Sequence, residues 1–138
     1  MKFADPYITD DGSQRAHVDL HELKTLWLNT GTLCNLACEN CYIESTPSND
    51  RLSYLTLEEA LPYLNEIQKN GLGTQEIGIT GGEPFMNPEI LAIMQACLSR
   101  GFKLLILTNA MRPMMRPRIQ AGLLDLLKTY GKAMTIRV

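Results

Sequence analysis

Residues 75–84 read QEIGITGGEP, a short apolar run that breaks into Gly81, Gly82, Glu83 and Pro84. Gln75 to Thr80 has the composition of a strand, and two glycines followed by a proline cannot extend it. Upstream, Thr56 with Glu59 three residues on forms a capping box for a helix running to about Asn70. Leu57, Ala60, Leu61, Leu64 and Ile67 then share one face of that helix, Pro62 falls inside it where a kink is expected, and Gly71 and Gly73 stop it. Downstream, Asn87 and Pro88 are placed as N-cap and first residue of a helix ending near Arg100 and Gly101. Lys103 to Thr108 (KLLILT) is a near-continuous apolar strand, the pattern of a parallel strand buried on both faces.

The alternation continues outward in both directions. Lys24 to Thr30 (KTLWLNT) reads as a first strand, and Pro117 to Tyr130 as a helix before a last strand from Ala133 to Val138. Strand and helix in regular turn predict an α/β fold, a parallel sheet with flanking helices. Residues 1–22 have no clear period and are expected to form an extended lead-in packed beside the mouth of the sheet. Residues 44–55 (ESTPSNDRLSYL) read as a polar loop rich in turn formers. The sequence stops inside an apolar strand with no crossover after it, so residues 23–138 are read as the first four strand units of a longer βα barrel.

Bulk properties narrow the function classes. The chain has 138 residues, 45% of them apolar, enough for one core. Thirteen basic residues against fifteen acidic ones give no electrostatic case for nucleic acid or an anionic membrane as partner. No apolar run approaches the ~18 residues that span a bilayer. The N-terminal stretch MKFADPYITDDGS lacks the apolar core of a signal peptide. The four cysteines, three packed together, do not resemble a secreted disulfide framework. A reducing cytoplasm is the expected compartment.

Those three cysteines carry the chemistry. Cys34, Cys38 and Cys41 lie within CNLACENCY. A structural zinc would need a fourth protein ligand, from Cys97, His17 or His21. A cubane iron–sulfur cluster held by three thiolates instead leaves one iron open to a small molecule. Cys38-Glu39-Asn40-Cys41 also has thioredoxin-like spacing, although that leaves Cys34 unexplained. Cys97 lies in an apolar helical stretch (ILAIMQACL), where a small buried thiol is its expected role.

The spacing Cys34-x-x-x-Cys38-x-x-Cys41, together with Gly81-Gly82-Glu83-Pro84, resembles the paired signatures of the radical SAM superfamily. The resemblance covers roughly Leu23 to Val138 and implies the N-terminal part of a partial (βα)6-type barrel. It implies that Cys34, Cys38 and Cys41 bind a 4Fe–4S cluster, whose open iron is chelated by S-adenosylmethionine. It further implies reductive cleavage of that cofactor to a 5′-deoxyadenosyl radical, which takes a hydrogen atom from a substrate. The cofactor carries the hard chemistry and the protein positions it. The implied electron donor is a flavodoxin or ferredoxin, and the substrate a small molecule or peptide.

By the same resemblance, Gly81, Gly82, Glu83 and Pro84 bind the methionyl end of S-adenosylmethionine, chiefly its ammonium group. Two glycines after a strand let backbone approach a ligand and present its amides and carbonyls, and Glu83 is expected to brace the loop. Thr108 and Asn109, at the end of the third strand, are candidate contacts to the cofactor or a plain strand cap. The sequence departs from the family pattern twice: Ala110 stands where relatives carry glycine, and Asn40 where many carry an aromatic residue before the third cysteine. Tyr42 follows the motif and could take over packing. His17 and His21 read as surface or packing residues. The run from Met111 to Arg118 reads as a solvated loop anchored by methionines, with contact to a substrate carboxylate, phosphate or peptide as the alternative. A zinc-stabilised interaction module and a simple iron–sulfur electron carrier remain the alternative functions.

Overall fold

The computed structural model describes residues 5–138, and the predicted alternation is present throughout them. The elements are β1 (Thr25–Asn29), α1 (Leu57–Lys69), β2 (Glu76–Thr80), α2 (Ile90–Ser99), β3 (Lys103–Leu107), α3 (Pro117–Tyr130) and β4 (Met134–Arg137). The strands form one sheet in the order β1-β2-β3-β4, with every neighbouring pair parallel. All four strands therefore end at the same edge, and the loops that follow them converge there.

The pleat divides the strands between two environments. Leu28, Ile77, Ile79, Leu104 and Ile106 join the core with Ala60, Leu64 and Ile67 of α1, Ile93, Met94 and Cys97 of α2, and Ile119, Leu123 and Leu126 of α3. On the opposite face Trp27, Gly78, Leu105 and Thr135 lie side by side in register. A Cβ added at Gly78 would stand 2.3 Å from the Trp27 ring, so the indole lies across the glycine. Trp27 is nevertheless 48% exposed. The centre of β3 is closed on both faces, as its apolar run predicts: Leu104, Leu105 and Ile106 are all buried.

Local chemistry accounts for the helix ends. The Thr56 hydroxyl accepts the Glu59 N–H at 3.2 Å, and the Glu59 carboxylate accepts the Thr56 N–H at 2.9 Å, completing the capping box. Helix α1 runs unbroken through Pro62, because both Pro62 and Glu58, whose carbonyl loses its helical donor, face solvent. The start of α2 differs from expectation. Pro84–Met86 forms a 3₁₀ turn, Pro88 and Glu89 a second turn, and the helix begins only at Ile90. Asn87 still accepts the Glu89 N–H at 2.8 Å, but its amide reaches away to the Leu55 carbonyl at 2.8 Å. Glu89 in turn accepts the Leu57 N–H at 2.8 Å, adding a carboxylate at the start of α1.

Other boundaries shift by a residue or two: β4 starts at Met134, after a 3₁₀ turn at Gly131–Ala133. The lead-in does not pack as expected. Residues 1–4 lie outside the described residues, and 5–22 are exposed apart from partial cover at Thr9 and Arg15. Its turn is closed locally by an Ile8–Gln14 bridge and by Asp11, which accepts from Ser13 and Thr9. Those hydrogen bonds, the Ser13 side chain's first, lower the Asp11 carboxyl to about 2.

Replacing Thr56 with alanine removes one half of the box that starts α1. The expected loss is about 1 kcal/mol of stability, read as a lower urea midpoint with an unchanged slope; an unmoved midpoint would show that Glu89 alone suffices to start the helix.

Candidate functional site

The site lies where β1, β2 and β3 end. After β1 the chain turns at Gly31 and runs as the cysteine loop, from Thr32 to about Ser45. Residues 46–55 fold back along it instead of trailing in solvent. The Thr32 N–H donates to the Leu52 carbonyl at 3.2 Å and the Thr32 hydroxyl to the Asn49 carbonyl at 2.9 Å. The Cys34 N–H donates to the Thr46 carbonyl at 3.1 Å, beside a Leu33–Thr46 bridge. Sequence reading missed this return because its polar composition predicts a loop but not what the loop touches.

The three thiols of the loop are free and unequal: Cys34 is buried, Cys41 half-buried and Cys38 exposed. Burial pushes the Cys34 thiol up, against the Leu36 N–H, which donates to its sulfur at 3.4 Å, while the nearby Glu83 carboxylate adds to the rise. The Cys41 thiol is lowered, chiefly by the Ser45 N–H at 3.4 Å from its sulfur. The Ser45 side chain adds to that lowering from beside the same sulfur, and its buried hydroxyl has no other hydrogen-bond partner among the described residues. N–H donors aimed at cysteine sulfur, and a buried hydroxyl beside one of those sulfurs, suit thiolates of an iron–sulfur group, whose potential such donors tune.

A single zinc ion fits less well. Tetrahedral zinc needs its donors about 2.0–2.3 Å from one point. Cys97 is fully buried within α2, and burial pushes its thiol up to about 12. His17 is exposed and paired with Asp19, and His21 is exposed.

Gly81-Gly82-Glu83-Pro84 meets the cysteine loop directly. The Gly82 N–H donates to the Gly31 carbonyl at 2.8 Å and the Glu83 N–H to the Leu33 carbonyl at 3.1 Å. A Cβ at Gly82 would stand 2.2 Å from the Leu33 oxygen, and one at Gly81 would stand 2.7 Å from the Thr30 hydroxyl. Beyond the ligand approach expected of them, the missing side chains of these glycines make room for the cysteine loop, and the amides of Gly82 and Glu83 bind it. Among the described residues no hydrogen bond reaches the Gly81 and Gly82 carbonyls, which remain available as acceptors.

Glu83 is 2% exposed and joins the second loop to the third. One carboxylate oxygen accepts the Phe85 N–H at 3.0 Å, the other the Asn109 N–H at 2.9 Å, and the Thr108 hydroxyl donates between them at 2.8 and 2.9 Å. Asn109 carries the connection onward, its amide donating to Asn35 at 3.0 Å and approaching the Cys34 sulfur at 3.8 Å. Thr108 and Asn109 thus stand inside the scaffold of the site. Ala110 follows with φ +53°, the left-handed conformation that glycine adopts without the penalty of about 1 kcal/mol facing other residues. Pro84 is buried at the first position of the 3₁₀ turn.

An open cavity of ≈ 340 Å³ is bounded by Gly81, Gly82, Thr108 and Asn109, with Arg137 of β4 as the cation on its wall. Arg137 was not singled out from the sequence, although its position in a strand of alternating character puts it in register with Leu107 at this edge. Tyr42 is 83% exposed and covers little of the core. In the segment from Met111 to Arg118, Met111 and Met115 are each about half-exposed, consistent with a solvated loop, while Arg118 donates to the Pro88 carbonyl at 3.0 Å.

The model of the radical SAM superfamily matches residues 28–138. The chain belongs to this superfamily. It is 32% identical over 131 residues to the antilisterial bacteriocin subtilosin biosynthesis protein AlbA of Bacillus subtilis (strain 168), covering 95% of this chain and 26% of that protein. It is 34% identical over 76 residues to an S-adenosylmethionine-dependent nucleotide dehydratase of Selenomonas ruminantium, covering 55% of this chain and 26% of that protein. The chain thus spans about a quarter of the length of these relatives. In fold it is similar to Streptococcus suis SuiB, with a TM-score of 0.66 to the form bound to S-adenosylmethionine and 0.67 to the form bound to precursor peptide SuiA. Both comparisons have 22% identity and cover 84% of this chain and 24% of SuiB. A radical SAM fold accounts for the one-sided helix layer, since a barrel of this kind keeps its helices outside and its strand ends open.

Two measurements check this geometry. Gly82→Val should displace Leu33 and lower the thermal stability of the fold; an unchanged melting temperature would show that the cysteine loop tolerates a side chain there. In metal-free protein at neutral pH, Cys38 and Cys41 should alkylate first, Cys34 more slowly and Cys97 only on unfolding. Mass mapping of the labelled peptides reads the order, and early labelling of Cys97 would contradict its burial.

Proposed function

We propose that residues 23–138 are the N-terminal portion of a radical SAM core that binds a 4Fe–4S cluster through Cys34, Cys38 and Cys41, with residues 1–22 as a lead-in. What supports this reading is the convergence of three free thiols, the Gly81-Gly82-Glu83-Pro84 turn and Asn109 at one sheet edge in a chain of this superfamily. When bound, the cluster and S-adenosylmethionine supply one-electron cleavage of the cofactor to methionine and a 5′-deoxyadenosyl radical that abstracts hydrogen from a substrate.

The chain's own residues have distinct tasks in this reading. Cys34, Cys38 and Cys41 hold three irons as thiolates. The Gly81 and Gly82 carbonyls accept from the ammonium group of S-adenosylmethionine at the cavity. Glu83, with Thr108, Asn109 and Pro84, fixes those carbonyls relative to the cysteine loop. The buried carboxylate and the thiolates make this edge anionic, which favours a cationic ligand. Arg137 offers the opposite charge on the cavity wall, suited to a carboxylate.

The substrate class that the similarities favour is a peptide under maturation, because the resemblance to a bacteriocin biosynthesis protein runs over 95% of the chain. The shorter match to a nucleotide dehydratase keeps a small molecule as the second reading. A flavodoxin or ferredoxin is the proposed electron donor and the cytoplasm the proposed compartment; among the described residues no helix is long and apolar enough to cross a membrane.

The full-length protein tests the proposal. Purified without air, it should carry a 4Fe–4S cluster and form 5′-deoxyadenosine when given S-adenosylmethionine and a strong reductant. Cys34→Ala, Cys38→Ala and Cys41→Ala should each abolish the stable cluster, whereas Cys97→Ala should keep it. Bound zinc without iron would favour an interaction module. A cluster whose reduced spectrum ignores S-adenosylmethionine would favour a simple electron carrier.

A further inference from the structure

Ser45 is the residue at this edge that neither the sequence signatures nor the scaffold described above accounts for. It is 3% exposed, and its buried hydroxyl has no hydrogen-bond partner other than the Cys41 sulfur beside it. A buried hydroxyl left unsatisfied is destabilising, so a buried serine normally finds an acceptor or gives way to alanine. Its surroundings fix it in place. Its own N–H is 3.4 Å from the Cys41 sulfur, and the preceding Glu44, held at φ 54°, returns its N–H to the Cys41 carbonyl at 2.9 Å. The following residue, Thr46, takes the Cys34 N–H on its carbonyl. Ser45 therefore sits between two anchors of the cysteine loop, with its backbone donor already turned to the sulfur of Cys41.

We propose that Ser45 is a positioning residue whose hydroxyl donates to the sulfur of Cys41, or to a cluster sulfide beside it, and thereby makes the cluster easier to reduce. The inference rests on the cluster-binding reading above. Its physical basis is that reduction adds one negative charge to the iron–sulfur group, so a fixed donor stabilises the reduced form more than the oxidised one. The step concerned adds one electron from a low-potential donor such as a reduced flavin. No bond forms or breaks, and the hydroxyl proton stays on Ser45. Cys34 is served differently, by the Leu36 N–H and by Asn109 at 3.8 Å, while Cys38 is exposed. Ser45 is thus the side-chain hydroxyl placed to serve Cys41.

The experiment is a reductive titration of the full-length protein, reconstituted without air and followed by electron paramagnetic resonance. Wild type is compared with Ser45→Ala, which removes the hydroxyl, and Ser45→Thr, which keeps it. Iron and sulfide are counted in each sample. The expected result is equal iron in all three, Ser45→Thr close to wild type, and Ser45→Ala shifted about fivefold toward the oxidised form at the same applied potential. An unmoved potential in iron-loaded Ser45→Ala would overturn the proposal and leave the cluster reading intact. Loss of iron from Ser45→Ala with retention in Ser45→Thr would make the hydroxyl a structural prop and also overturn it. Wild-type protein that takes up no iron would instead overturn the cluster reading, and this inference with it.

Discussion

The buried carboxylate of Glu83 is the interaction on which the candidate site depends. A carboxylate taken out of water costs several kcal/mol unless its oxygens find donors. Here the donors come from two loops: Phe85 in its own turn, and Thr108 and Asn109 at the end of β3. The same residue's N–H holds the Leu33 carbonyl of the cysteine loop. One side chain and its backbone thus fix the ends of three successive strands relative to one another. Removing the carboxylate would leave the Phe85 and Asn109 N–H groups unsatisfied at the point where the loops after β2 and β3 meet.

Steric exclusion supplies the second constraint. The cysteine loop passes so close to Gly81 and Gly82 that neither position can carry a side chain, and the Gly82 amide binds the loop it makes room for. The glycines therefore let two backbones interlock, while their carbonyls stay open to the cavity. Residues 46–55 close the other side of the same loop through Thr32, Asn49 and Leu52. A nine-residue stretch bearing three thiols is held along its flanks by backbone hydrogen bonds, which leaves the sulfurs free for chemistry.

The two faces of the sheet divide the labour between stability and function. Leu28, Ile77, Ile79, Leu104 and Ile106 bury against three helices and make the core. The other face carries Trp27 across Gly78, with Leu105 and Thr135 in the same row. In a barrel, that row belongs to the interior beneath the strand ends. Burial of one face fixes strand register, because a slip of one residue would exchange the two faces.

The sequence by itself determined the order and type of every element, since the apolar runs of strands and the 3–4 spacing of α1 are local properties that burial enforces. It also singled out Cys34, Cys38, Cys41 and Gly81-Gly82-Glu83-Pro84, because motifs of that density have few competing explanations. Boundaries were less legible. Asn87 was read as a helix cap, yet its amide goes to Leu55, and α2 begins three residues later. What only the tertiary structure decided is which groups meet across loops: Gly82 against Leu33, Glu83 with Asn109, and Arg137 on the cavity wall. Each of these joins residues distant in sequence, and all depend on backbone positions set by parallel strands whose ends coincide. Periodicity reports which face a residue occupies, whereas contact between loops follows from the register of the sheet beneath them.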